Sequence, residues 1–196
     1  MKTIKFLTIT TAISFLLFSS FTLLKQQQKD YSQAKVSASN GKLIFYENEP
    51  VNGYDVAFTF EDTTGLKNAA RMSFDEQSGK MVTNANKEVA VQGKPYDAII
   101  HSDGSIRDRA ITFKDKTKDN SIASVNKNQG KYVFLYCEPV NEYDMVFKMN
   151  AGGLFGAMMT LQQKVDRMMK KAGKKNIQYD GVIFSNSSQD MCIKFK

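Results

Sequence analysis

Residues 41–58, GKLIFYENEPVNGYDVAF, recur at 130–147 as GKYVFLYCEPVNEYDMVF, identical at ten of eighteen positions, without a gap and at a constant offset of 89. The far end of the unit recurs as well. YDAIIHSDGS at 96–105 returns as YDGVIFSNSS at 179–188, and DRAITFK at 108–114 returns as DMCIKFK at 190–196. An internal duplication constrains the fold strongly, because one architecture must suit both copies. It divides the 196 residues into a first repeat at 41–115, a linker at 116–129 and a second repeat at 130–196. Domains that small bury a modest core and are marginal alone. The two repeats are therefore expected to pack on each other.

Each copy reads as strand, strand, helix, strand, strand. The first strand, LIFY at 43–46 and YVFLYC at 132–137, is apolar on both alternating faces, as in a strand covered on both sides. Glu-Pro-Val-Asn-x-Tyr-Asp at 49–55 and 138–144 then supplies a corner, since proline fixes φ and asparagine bonds locally. In the second strand Tyr54, Val56, Phe58 and Phe60 form an apolar face, matched by Tyr143, Met145, Phe147 and Met149. The helix of the second copy shows a stripe at Leu154, Met158, Leu161, Val165, Met168 and Ala172, preceded by Gly152-Gly153 and ended by Gly173. In the first copy Phe74, Met81, Ala85 and Val89 form the stripe, and Ser73 with Glu76 a capping box. Ala98-Ile99-Ile100 and Val182-Ile183-Phe184, then Ile111 and Phe113 against Ile193 and Phe195, close the unit. The expected fold class is α+β: two tandem repeats of a β-β-α-β-β unit, each a small sheet with one helix on one face.

The strand that follows each helix, Tyr96-Asp97-Ala98-Ile99-Ile100 and Tyr179-Asp180-Gly181-Val182-Ile183, resembles a strand of small bacterial envelope domains. The chain is similar in this to the YbjQ-like family and to the Rcs-pathway stress-sensor lipoproteins. The resemblance implies a fold and a compartment, and, from the first of these families, heavy-metal binding.

At the N-terminus Lys2 and Lys5 precede an apolar-leaning run from Ile9 to Leu24. The charged start and the run fit a secretory signal peptide, while a spanning helix usually needs about 20 predominantly apolar residues. Residues 1–24 are thus expected to be a signal peptide or an N-terminal anchor, and the protein to be exported, periplasmic or extracellular. Residues 25–40, KQQQKDYSQAKVSASN, read as a flexible polar segment.

The net charge of +7 is unevenly spread: the first repeat carries −3 and the second +4. The helix of the second copy holds Lys164, Arg167, Lys170, Lys171, Lys174 and Lys175, a solvated face or a surface for an anionic partner such as membrane headgroups. Nucleic acid is not expected, since that segment has no aromatic interleaving. The only cysteines, Cys137 and Cys192, stand where the first copy has Asn48 and Ala110. Their pairing in a disulfide and their persistence as free thiols are both open. Cys192 is expected on the polar face that holds Lys194 and Lys196.

His101 is the only histidine, with Ser102 and Asp103 beside it, and no CxxC or HExxH motif is present. A single histidine does not make a zinc site. Seven of ten methionines fall in the second copy. Met145, Met158 and Met168 sit on the apolar stripes, and Met159 and Met169 lie off them as an exposed patch. Thioethers and thiols together offer a heavy-metal site as an alternative to core packing. Glu49 with Asp55, and Glu138 with Asp144, are either corner residues or carboxylate pairs for a cation. No catalytic constellation is assembled and no cofactor motif is present. The leading expectation is an exported, non-enzymatic interaction or sensing module of the bacterial envelope whose partner is a protein or another envelope component.

Overall fold

The computed structural model describes residues 29–61, 72–102, 105–149, 160–185 and 190–196. Tyr31–Lys196 is one compact unit. The fold is mixed α/β, mostly strand, with two helices and three sheets among the described residues. The expected signal segment, 1–24, lies outside the described residues, and no described helix is long and apolar enough to cross a membrane.

In chain order the first half contains β1 (Gln33–Val36), β2 (Ala38–Ser39), β3 (Lys42–Tyr46), β4 (Glu49–Pro50), β5 (Tyr54–Glu61), α1 (Phe74–Gln92), β6 (Ala98–His101) and β7 (Arg107–Phe113). The second contains β8 (Ile122–Ser124), β9 (Lys127–Asn128), β10 (Lys131–Leu135), β11 (Cys137–Pro139), β12 (Tyr143–Met149), α2 (Leu161–Lys174), β13 (Gly181–Phe184) and β14 (Asp190–Phe195). One five-stranded sheet runs β2-β3-β6-β7-β5 and the other β9-β10-β13-β14-β12. In each, the strand after the helix runs parallel to the opening long strand, β6 beside β3 with Leu43 opposite Ala98, and β13 beside β10 with Tyr132 opposite Gly181. The remaining pairs are antiparallel.

Backbone detail follows the sequence offset. Asn40-Gly41 and Gln129-Gly130 each take two consecutive positive φ values, the two-residue turn that joins twisted antiparallel strands. Glu47 and Tyr136, also 89 apart, have φ of 59° and 53°, in the left-handed region that bulky residues enter at a cost. Their N–H groups donate to equivalent carbonyls, those of His101 and Phe184.

Both helices start at a capping box. Ser73 with Glu76 is the pair read from the sequence; Thr160 with Gln163, its counterpart, had gone unnoticed there. Two expectations for the second helix change. It continues through Gly173, and the left-handed residue that follows it is Asn176, at φ 53°. Leu154, Met158 and the Gly152-Gly153 pair lie outside the described residues. The expected apolar face of the second strand is also broken. A register shift between Val56 and Phe58, repeated between Met145 and Phe147, turns the strand over. Val56 and Met145 are consequently half exposed, while Phe58 and Phe60 are buried.

The largest departure from expectation lies in residues 25–40 and 116–129, the flexible polar segment and the linker. They hold β1 and β2, and β8 and β9. Here β1 and β8 pair with each other in a third, four-stranded sheet ordered β11-β1-β8-β4. Ala34 lies opposite Ala123, its own equivalent 89 residues on, flanked by Gln33 opposite Ser124 and Lys35 opposite Ile122. Such a register places a local two-fold axis at the alanine pair. Each strand then pairs outward with the other repeat: Lys35 of β1 opposite Glu138 of β11, and Ser124 of β8 opposite Glu49 of β4. Short, alanine-centred and half polar, these strands carry little hydrophobic signal, and their stability comes from pairing and from the closed core beneath them.

That core has two layers. One cluster takes the helix-facing side chains of both halves, including Phe58, Met81, Val165 and Met168. The other takes the opposite sheet faces, Phe45, Ile100 and Ile111 with Phe134, Ile183 and Ile193, under Ala34, Val36, Ala123 and Val125 of the third sheet. Both axial alanines are fully buried. Enlarging either overpacks the same place, so Ala34→Leu and Ala123→Leu should each lower stability by about 2 kcal/mol in urea melts. Markedly unequal losses would contradict the two-fold arrangement.

Candidate functional site

The polar residues that recur in both copies form internal joints. Lys42 donates from Nζ to the Tyr96 carbonyl at 2.5 Å and lies over that ring; Lys131 does the same to Tyr179 at 2.6 Å. Asp97 and Asp180 each accept from a last-strand amide, Phe113 or Phe195, at 3.0 Å. Asp55 pairs with Lys114 at 3.1 Å and Asp144 with Lys196 at 3.3 Å. The motifs Gly-Lys, Tyr-Asp and Phe-Lys therefore recur because they tie the first strand, the strand after the helix and the last strand together.

The acidic corners are not paired carboxylates. Glu49 accepts from the Tyr54 hydroxyl at 2.6 Å and from Arg109 at 2.5 Å, whereas Asp55 takes Lys114. In the second copy Glu138 accepts from the Tyr143 hydroxyl at 3.0 Å and Met191 stands in place of Arg109. Burial, then the bond to Glu138 and its charge, push the Tyr143 hydroxyl up to about 12. Tyr54 rises for the same reasons, with Glu49 in that part. Each carboxylate in the first copy holds its own cation, an arrangement that leaves no shared proton or metal between them.

Cys137 and Cys192 are free thiols, and both are buried. They belong to different clusters, Cys137 to the layer beneath the third sheet and Cys192 to the helix-facing layer. The face that Cys192 shares with Lys194 is thus not polar at Cys192: the residue is fully buried, as is its counterpart Ala110. Cys137 receives a long hydrogen bond, 3.5 Å, from the side-chain amide of Asn48, its own equivalent. Burial raises both thiols above their usual 9.0, Cys137 to about 12 and Cys192 to about 11.

His101 is buried, and its Nδ1 meets Asp108 at 2.7 Å. Asp108 itself is fully buried. The partner is the residue across the β6–β7 hairpin, one step beyond the Ile100–Arg109 pair, and not the adjacent Asp103. The ring tilts against Tyr46 at 4.5 Å. A histidine oriented by an aspartate has the form of a general base, but 5 % exposure gives no substrate access to it. Among the methionines, Met168 and Met169 are both buried, so Met169 packs in the core instead of forming an exposed patch. Met158 and Met159 lie outside the described residues. Among the described residues no group of three His, Cys, Asp or Glu is placed to hold a metal ion.

The lysine-rich helix keeps an open face. Val165, Met168, Met169 and Ala172 turn inward. Lys170, Lys174 and Lys175 are exposed, and Lys164, Arg167 and Lys171 half-buried along its flanks. Its one carboxylate, Asp166, accepts from the amides of Asn128 and Gln162 at 3.2 and 2.9 Å. Lys175 lies over the Phe147 ring at 4.9 Å. Lys164, Lys170, Lys171 and Lys174 enter no ion pair among the described residues. The equivalent helix α1 has three carboxylates, Asp75, Glu76 and Glu88, against two lysines.

No protein-family model, no curated protein and no solved structure matches the chain.

The thiols and the His–Asp pair make two measurable predictions. Below about pH 9 both folded and unfolded states keep the thiol protons. Above it the unfolded chain loses them, while the folded chain holds them until about 11 for Cys192 and 12 for Cys137. Stability should therefore fall as pH rises through that window, and Cys192→Ala should flatten the fall; an unchanged slope would refute the assignment. His101→Ala removes the imidazole from a buried carboxylate and should cost about 3 kcal/mol in denaturant melts. A loss below about 1 kcal/mol, the scale of an exposed pair, would contradict it.

Proposed function

We propose that the protein is an exported, non-enzymatic interaction or sensing module of the bacterial envelope, built from a duplicated β-β-α-β-β unit fused about a local two-fold axis. The observation that carries this reading is the contrast between the two helices. They share capping boxes and buried stripes, yet α2 carries five cations against one carboxylate and α1 three carboxylates against two cations. A difference confined to the outward faces of otherwise equivalent helices points to selection on what those faces meet. Recurring polar groups spent on internal bonds, and the His101–Asp108 pair held away from solvent, support a role without turnover.

The partner chemistry that fits the α2 face is a dense anionic surface, the headgroups of an acidic bilayer. Each lysine or arginine near such a surface contributes about 1 kcal/mol. The heavy-metal alternative draws no support from the described residues, where the two thiols sit in separate core layers.

Sedimentation with vesicles tests the reading. The protein should bind phosphatidylglycerol vesicles, release them in about 0.5 M salt, where screening leaves little surface attraction, and ignore phosphatidylcholine. The triple variant Lys170→Glu, Lys171→Glu, Lys174→Glu should stay folded and lose binding. Salt-insensitive binding, or binding retained by the triple variant, would refute it.

A further inference from the structure

The two helices begin alike and end differently. Aligned on their capping boxes at Ser73 and Thr160, α1 runs for 19 residues and α2 for 14. At the helical rise α2 is therefore shorter by about 7 Å. In the first copy the extra length is put to use. Val89, near the end of α1, packs against the core, and Asn86 accepts from the Tyr96 hydroxyl at 3.0 Å. On the helix-facing side of that sheet Phe58 and Tyr96 are 6 % and 3 % exposed, with their rings 5.8 Å apart.

In the second copy the helix closes a turn early. Asn176 takes the left-handed conformation, its N–H donates to the Gly173 carbonyl, and the N–H of Ile177 donates to that of Ala172. Such a closure sets the residue that follows it, here Ile177, against the last turn. Gly173 stands where α1 has Asn86, so the Tyr179 hydroxyl lacks the equivalent acceptor. Phe147 and Tyr179, the counterparts of Phe58 and Tyr96, are only half-buried, as is Ile177. Lysines gather at the same edge. Lys175 lies over the Phe147 ring at 4.9 Å, and Lys171 and Lys174 occupy the last turn of α2. Lys194 is two residues beyond the buried Cys192 on β14, hence on the helix side of the sheet. The first copy has Glu88, Asn84, Lys87 and Thr112 at these four places. Asp144, opposite Lys194, pairs with Lys196 at 3.3 Å.

We propose that the C-terminal end of α2 is where the basic face enters an acidic bilayer, with Phe147, Ile177 and Tyr179 at the headgroup–acyl boundary and Lys171, Lys174, Lys175 and Lys194 among the phosphates. The inference rests on the reading of α2 as a membrane-docking face and adds an orientation and a depth to it. Lysines alone would suit any anion. Apolar side chains uncovered at the same edge suit an anionic layer with hydrocarbon beneath it, and lysine stems can lie along such surface while their ammoniums reach the headgroups.

The chain has no tryptophan, so a single introduced one reports its own surroundings. On phosphatidylglycerol vesicles the emission of Ile177→Trp should shift to the blue and be quenched by lipids brominated on the acyl chain. Val91→Trp, at an exposed position of α1, should show neither effect. Protein that sediments with the vesicles while Ile177→Trp stays unquenched, or is quenched no more than Val91→Trp, overturns this inference and leaves the docking face standing; failure to sediment overturns both. Lys194→Glu, an exposed change, should weaken binding by about fivefold or more with the fold intact. Unchanged binding would overturn the proposal, and this measurement holds even where Ile177→Trp fails to fold.

Discussion

The antiparallel pairing of β1 with β8 is the contact on which the remaining architecture depends. Two short strands meet with Ala34 opposite Ala123, and each continues its pairing into the other repeat. Small side chains are required there, because both alanines are fully buried above Phe45, Phe134 and their neighbours. Once this sheet forms, the inner faces of both five-stranded sheets share one core layer. Neither repeat owns the complete set of strands that covers its own core. An exchange of this kind makes the two halves of the duplication energetically dependent, since a small sheet with one helix is marginal by itself.

Around that axis the molecule keeps what the frame needs and varies what it does not. The residues common to both halves are the turn glycines, the Lys–Tyr and Asp–amide joints, the corner prolines and the capping boxes. Those that differ fall at places where the frame tolerates either side chain. His101 faces Asp108 where the second copy has Phe184, Cys192 fills the site of Ala110, and Tyr136, in the place of Glu47, stacks on Phe74 of the other half. The helix faces follow the same division, with equivalent buried stripes and contrasting outward charge. Specific chemistry in this protein is therefore best sought in broken symmetry.

Local features were the legible ones. The Ser73–Glu76 capping box announces itself within a few residues, and the structure has it where the sequence puts it, whereas Pro50 and Pro139, read as corners, lie in β4 and β11 of the third sheet. The bulge at Val56–Phe58 and Met145–Phe147 leaves no mark in a pattern of alternating apolar residues, so Met145 looked buried and is not. Gln33–Val36 and Ile122–Ser124 carried a signal that hydropathy conceals. Ser32, Ala34 and Val36 recur at Ser121, Ala123 and Val125 at the same offset of 89, but alanine and serine in a polar stretch do not suggest a strand. The His101–Asp108 contact follows from the hairpin register, which becomes readable only after the two strands are paired. The Tyr136–Phe74 stack is not readable from the sequence because a side chain that crosses between repeats has no sequence-local partner.

Native-state hydrogen exchange tests the central sheet most directly. The amides of Val36 and Val125 donate to Ser121 and Ser32 at 2.9 and 2.7 Å across the β1–β8 pair. If the strand exchange holds both repeats together, these two amides exchange only through global unfolding, at the same free energy as the core amides of β6 and β13. Exchange of Val36 and Val125 through a separate, lower-energy opening, with β6 and β13 still protected, would contradict the account.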